Sequence, residues 1–174
     1  MMKRIGLLPE EEDRRKLLLI AECFKKIPDK WAYLDLVFLS SLVGVRFNRY
    51  SSLTFKSLPD FQIIYNNAAL EDLNCLLFDN AIIETESPES ITLSNIRYIL
   101  SSVNEIKKTY SKEYSLLKKL EIILRKNGIY DSQSLYLLSE LARGSEVNMS
   151  QEALRKYKRV LEQIKTLGSM QERI

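Results

Sequence analysis

Apolar residues return every three or four positions along most of this chain, and little interrupts them: five glycines and four prolines are scattered through 174 residues. That period with so few breakers directs a chain to long amphipathic helices and away from turn-rich sandwiches and barrels. The expected fold is mainly α, a multi-helix bundle in two packed lobes with room for one short strand pair in the N-terminal half. The length suits one ordinary domain or two small lobes sharing an interface, and either can bury a core without disulfides or metals.

The spacing predicts where the helices run. Pro9 suits a first helical position, and Glu10, Glu11, Glu12 and Asp13 complement the positive end of the helix dipole. Leu17, Ile20, Ala21, Phe24 and Ile27 then form a stripe that Pro28 stops. Asp29 can cap a second helix carrying Trp31, Leu34, Phe38 and Leu42, with Gly44 as its C-cap. Residues 45–60 have no clean period and read as a short strand or an irregular loop. Asp60 is expected to cap a helix containing Ile63, Ile64 and Ala68, continuing through Leu70, Leu73, Leu76 and Leu77. Residues 81–86 read as a single edge strand, and SPES at 87–90 reads as the boundary between an acidic lobe, 1–86, and a basic lobe, 91–174.

In the second half Ser94 is expected to cap a helix with Ile96, Ile99, Leu100, Val103 and Ile106 facing inward. Leu116, Leu117, Leu120, Ile123 and Leu124 line another, separate from the first or fused with it across Tyr110. Asp131 or Ser132 opens the next helix, and Ser150 caps a last one in which Leu154, Tyr157, Leu161 and Ile164 face inward and Gly168 is the expected stop.

Composition removes several kinds of chemistry. The chain has no histidine, which excludes histidine-dependent triads, Cys–His dyads and HExxH zinc sites. No GxGxxG or GxxxxGK[ST] cradle for phosphate occurs. Cys23 and Cys75 lack a CxxC spacing and read as small buried hydrophobes, although a disulfide between them is sterically open. The carboxylates Asp60, Glu71, Asp72, Asp79, Glu84 and Glu86 match no metal-site spacing and read as helix caps and solvated faces. The expectation is a non-enzymatic protein with no cofactor, metal or small-molecule substrate. The acidic run near the start does not resemble a signal peptide, and no segment approaches the ~20 apolar residues of a membrane span, so a cytoplasmic location is expected.

The net charge of +3 hides a division. Residues 1–90 hold 11 Lys and Arg against 14 Asp and Glu, whereas residues 91–174 hold 15 against 9. Such asymmetry marks a surface for phosphate or a means of drawing two lobes together. Within the basic half, SLYLLSELARGSEVNMSQEALRKYKRVLEQIKTLG at 134–168 resembles a helix-turn-helix. LSELA ends the first helix, Val147 would plug the turn, and the second helix opens at Ser150. The resemblance implies that Gln151 and Arg155 read base edges while Lys156, Lys158 and Arg159 hold phosphates. The connection from Arg143 to Met149 is longer than the motif's usual turn, and an αα-hairpin showing basic residues to solvent fits the same pattern.

A second mode needs no motif. Lys118, Lys119, Arg125 and Lys126, with Lys107, Lys108 and Lys112, recur along a helical stretch that contains Tyr110 and Tyr114 and could follow a phosphate backbone. Glu105, Glu113 and Glu121 interrupt it, as they would in a helix laced with salt bridges. Arg46, Phe47, Arg49, Tyr50 and Phe55 form a candidate protein-partner surface, since Tyr, Phe and Arg are enriched in interface cores, or else the filling between lobes. The expected function is nucleic-acid contact within a larger assembly, with a purely protein–protein scaffold as the alternative.

Overall fold

A computed structural model describes residues 9–58, 63–86 and 89–172. Its described elements are seven helices and two small antiparallel strand pairs. The helices are α1 (Pro9–Phe24), α2 (Lys30–Leu42), α3 (Asn67–Phe78), α4 (Arg97–Thr109), α5 (Ser111–Lys126), α6 (Ser132–Ala142) and α7 (Gln151–Glu172). The strands are β1 (Lys56–Leu58), β2 (Ile63–Tyr65), β3 (Ile82–Glu86) and β4 (Glu89–Leu93). The mainly α architecture with a short strand pair in the N-terminal half is as the sequence indicates.

The first two helices form the interior. Residues 17–21 of α1 are all buried, as are residues 32–40 of α2. A helix apolar on every side must be covered on every side. The later elements do this: α3, α4, α5 and β4 pack on α1, while β2, α6 and α7 pack on α2. Buried side chains from both halves of the chain, from Leu17 through Ile64 and Leu117 to Ile164, therefore belong to one connected core. Asp29 begins α2 as its sequence position suggests, its carboxylate accepting the Ala32 amide at 2.8 Å.

Several local expectations are corrected. Asp60 lies outside the described residues, and Ile63 and Ile64 belong to strand β2, paired with β1, rather than to a helix. The β-branched pair followed by Tyr65 favours the pleated surface. Helix α3 starts after Asn66, whose side chain accepts the Ala69 amide at 3.1 Å. Ser87 and Pro88 lie outside the described residues; on either side of them β3 and β4 pair from Glu86↔Glu89 to Ile82↔Leu93. Ile27 adds an isolated bridge to Ile91, tying the end of α1 to that hairpin.

Helix α4 has no side-chain cap; Ser94 instead accepts the Ile96 amide at 3.3 Å. Val103 and Ile106 are buried, but Ile96, which precedes α4, and Leu100 in its first turns are exposed. The backbone breaks at Tyr110, so α4 and α5 are separate helices. Helix α7 does not stop at Gly168; it runs on to Glu172. A β-carbon at Gly168 would lie 2.1 Å from the Leu42 carbonyl oxygen, so this glycine is a point of close helix approach rather than a cap. Cys23 and Cys75 are both free thiols, and burial pushes Cys23 up to about 12.

Candidate nucleic-acid interface

Helix α7 carries most of the predicted site, and its local chemistry sets which residues face out. Ser150 accepts the Ala153 amide at 3.1 Å, and Glu152 lies in the positive first turn. Tyr157, Val160, Leu161 and Ile164 are buried, fixing the inward face. The opposite face then exposes Gln151, Arg155, Lys156, Lys158 and Arg159, with Lys165 further along. Among the described residues none of these five cations has a carboxylate within ion-pair distance. Glu152 and Glu162 are exposed on the same helix, so the face is basic with acidic interruptions.

Helix α5 divides its cations between two edges. Lys118 lies over the Tyr114 ring at 5.4 Å, and Arg125 pairs with Glu121 at 2.5 Å, on the side where Glu121 and Arg125 share a cavity with the end of α1. Lys112, Lys119 and Lys126 recur at seven-residue intervals, which holds them on one stripe of an α-helix. They are exposed and form no ion pair among the described residues. Lys112, at one end of this stripe, lines a second cavity together with Arg46 and with Lys165 of α7. Helical periodicity puts Lys119 and Lys126 on the Lys112 stripe and Lys118 and Arg125 on another edge of α5.

Other basic residues are committed elsewhere. Lys107 reaches Glu22 at 2.6 Å, and that hydrogen bond raises its pKa. Arg14 donates from Nε to Asp72 at 3.0 Å, Arg49 donates to the same carboxylate at 3.2 Å, and the Tyr50 hydroxyl donates to it as well. Asp72 is 1% exposed and joins α1, α3 and the segment between α2 and β1. Asp13, also buried, accepts the amides of Asn48 and Arg49 at 2.7 and 2.9 Å, and Lys16 donates to the Arg46 carbonyl. Burial raises the Asp13 carboxyl, and the two amide donors oppose the rise.

These contacts fix where the candidate partner residues lie. Tyr50 and Phe55 are buried, Phe55 with its ring 5.4 Å from Phe38, while Phe47 is half-buried with its ring 5.0 Å from Tyr50. Arg49 is turned onto Asp72, and of the five only Arg46 is exposed.

The sequence reading missed Asp72, placing it among solvated carboxylates. Its signal was available: Ala69, Asp72, Leu73 and Leu76 fall at helical spacing and are all buried, so the carboxylate occupies a core position. Another buried polar group sits between α2 and α6. Asp35 is 3% exposed with Oδ1 lacking a hydrogen-bond partner among the described residues. Loss of water pushes its carboxyl well above the usual range, and the nearby Asp29 and Glu140 add to the effect. Glu140 accepts from Ser57 at 2.7 Å and lies 3.6 Å from Arg143.

Among the described residues no cluster of metal-ligating side chains forms, and no helix is long and apolar enough to cross a membrane. No protein-family model matches the chain, and neither a curated protein nor a solved structure does.

Proposed function

We propose that the protein binds nucleic acid through phosphate contacts made by the outer face of α7 and the adjoining edge of α5. The observation that carries this reading is the set of exposed cations that form no ion pair among the described residues: Arg155, Lys156, Lys158, Arg159 and Lys165 on α7, and Lys112, Lys119 and Lys126 on α5. Exposed cations that no described carboxylate engages are available to displace counterions from a phosphate backbone. Gln151 and Arg155 in the first turns of α7 are the candidate base contacts if the helix enters a groove. The eight-residue connection between α6 and α7 favours sequence-tolerant contact over the tight geometry of a helix-turn-helix.

The test is charge reversal at Arg155 and Arg159, both exposed, with helicity followed by circular dichroism. Loss of binding to random duplex with unchanged helicity supports the reading; retained binding removes α7 from it.

A second reading, a protein–protein scaffold, draws on Ile96, Tyr98 and Leu100, which expose apolar surface at the start of α4. Arg46 and the outer side of Phe47 are its other candidate contacts. Concentration-dependent mass by sedimentation, altered by replacing Tyr98 and Leu100 with serine, would favour self-association through α4.

A further inference from the structure

The cavity that Lys112 lines is an open, polar depression of about 610 Å³ where the end of α2, the start of α5 and the C-terminal third of α7 meet. Backbone contacts fix its floor. Gly168 closes on the Leu42 carbonyl, and a β-carbon at Gly44 would touch Gln171 of α7 and Leu116 of α5, so the three elements are held together here. Lys165 stands one turn before Gly168, Lys112 one turn before Leu116, and Arg46 two residues after Gly44, so each contact sets one cation in the lining. The three side chains are exposed and form no ion pair among the described residues. Among those residues Glu113 is the one carboxylate in the lining, which leaves an excess of two positive charges. Helix α5 opens at the depression without a side-chain cap, and the positive end of its dipole adds to them. The negative end of α2 is muted, because Val45 and Gly44 donate to the Ser40 and Ser41 carbonyls at 3.1 and 3.3 Å.

We propose that this depression seats a phosphate monoester, supplied by the terminal phosphate of a nucleic-acid strand. Charge and donor count select it. A phosphate monoester carries close to two negative charges near neutral pH and offers three strong acceptor oxygens, matching the excess charge and the three cations. A backbone phosphodiester carries a single charge and suits the open stripe of Lys119 and Lys126 instead. The strand as the source rests on the nucleic-acid reading above, whereas the seat rests on its own three cations. Arg46 takes no part in the α7 and α5 interface of that reading, so its substitution separates the two.

The experiment is fluorescence anisotropy of the full chain at low salt with short, internally labelled single strands of random sequence, carrying a 5′-phosphate, a 3′-phosphate or hydroxyls at both ends. At least one phosphorylated strand is expected to bind roughly tenfold more tightly than the hydroxyl-ended strand, the net effect of one charge-assisted hydrogen bond. Arg46→Gln, at an exposed position, should remove that preference and leave the hydroxyl-ended strand bound as before, with circular dichroism checking helicity. The preference should also shrink from about pH 7.5 to about pH 5.5, as the phosphate takes up its second proton. Equal binding of all three strands by the unaltered protein, or a preference that survives Arg46→Gln, would overturn the seat and leave the nucleic-acid reading standing. If no strand binds, that reading falls and calorimetric titration with inorganic phosphate decides the seat. Saturation that Arg46→Gln abolishes upholds it; no saturation, or saturation indifferent to the variant, overturns it.

Discussion

Gly168 in α7 faces the carbonyl of Leu42 at the end of α2, so close that a β-carbon would stand 2.1 Å from the oxygen. In an exposed helix, alanine in place of glycine normally adds up to about 1 kcal/mol of stability. At this contact the sign should reverse, because backbone has to move: Gly168→Ala is expected to destabilise by about 2 kcal/mol. Urea unfolding of the two proteins measures it. Stabilisation by the alanine would mean that α7 does not approach α2 at this point.

Asp72 gathers Arg14, Arg49 and Tyr50 in a buried position. Removing one member of a buried charge cluster leaves the others uncompensated, at about 3–5 kcal/mol when the site is fully dry. The side chains of Arg14 and Arg49 are 36% and 26% exposed, so water can partly replace the lost partner. Asp72→Ala is therefore expected to lose about 2–3 kcal/mol. Asp72→Asn, which keeps shape and an acceptor, should lose less. The measurement is the denaturant midpoint of each variant.

Asp35 makes a pH prediction. Its carboxyl titrates well above the ordinary value when folded, chiefly because burial removes water from it. The folded state thus binds the proton more tightly than the unfolded chain, whose carboxyl titrates near 3.9. The associated stability is complete below that value and is lost as pH rises through the folded pKa. Asp35→Asn cannot ionise, so its stability relative to the unaltered protein should rise between pH 4 and pH 8. Urea midpoints across that range provide the comparison, and a constant difference would mean that Asp35 titrates normally.

Much of the fold was legible because helix starts and apolar stripes are local. Asp29, Asp131 and Ser150 each accept an amide three residues on, as their positions imply. Misreadings arose where distant partners decide. The exposure of Ile96 and Leu100 depends on which neighbours reach the start of α4, information absent from the spacing within α4. Gly168 looks like a helix stop until the Leu42 carbonyl is brought beside it. The pairing of β3 with β4, from Glu86↔Glu89 to Ile82↔Leu93, likewise needed a partner strand that the spacing within residues 81–86 does not reveal. In the candidate interface, the exposed face of α7 followed from its buried stripe. The division of α5 into a stripe at Lys112, Lys119 and Lys126 and an edge at Lys118 and Arg125 follows from helical periodicity in the same way.

A neutralising pair of substitutions should also show how many phosphate contacts α7 makes. Each phosphate neutralised on duplex DNA contributes about 0.9 to the slope of log affinity against log salt. Arg155→Gln with Arg159→Gln is expected to reduce the magnitude of that slope by about two, while duplexes of unrelated sequence weaken alike. A slope unchanged by the pair would assign the contacts to another surface.

The most direct test of phosphate contact is binding of the unaltered protein to random duplex DNA, single-stranded DNA and RNA, titrated over a series of salt concentrations. The expected result is binding to at least one of them that falls linearly, on logarithmic axes, as salt rises. Absence of binding to all three at low salt would contradict the proposal that α7 and α5 form a nucleic-acid interface.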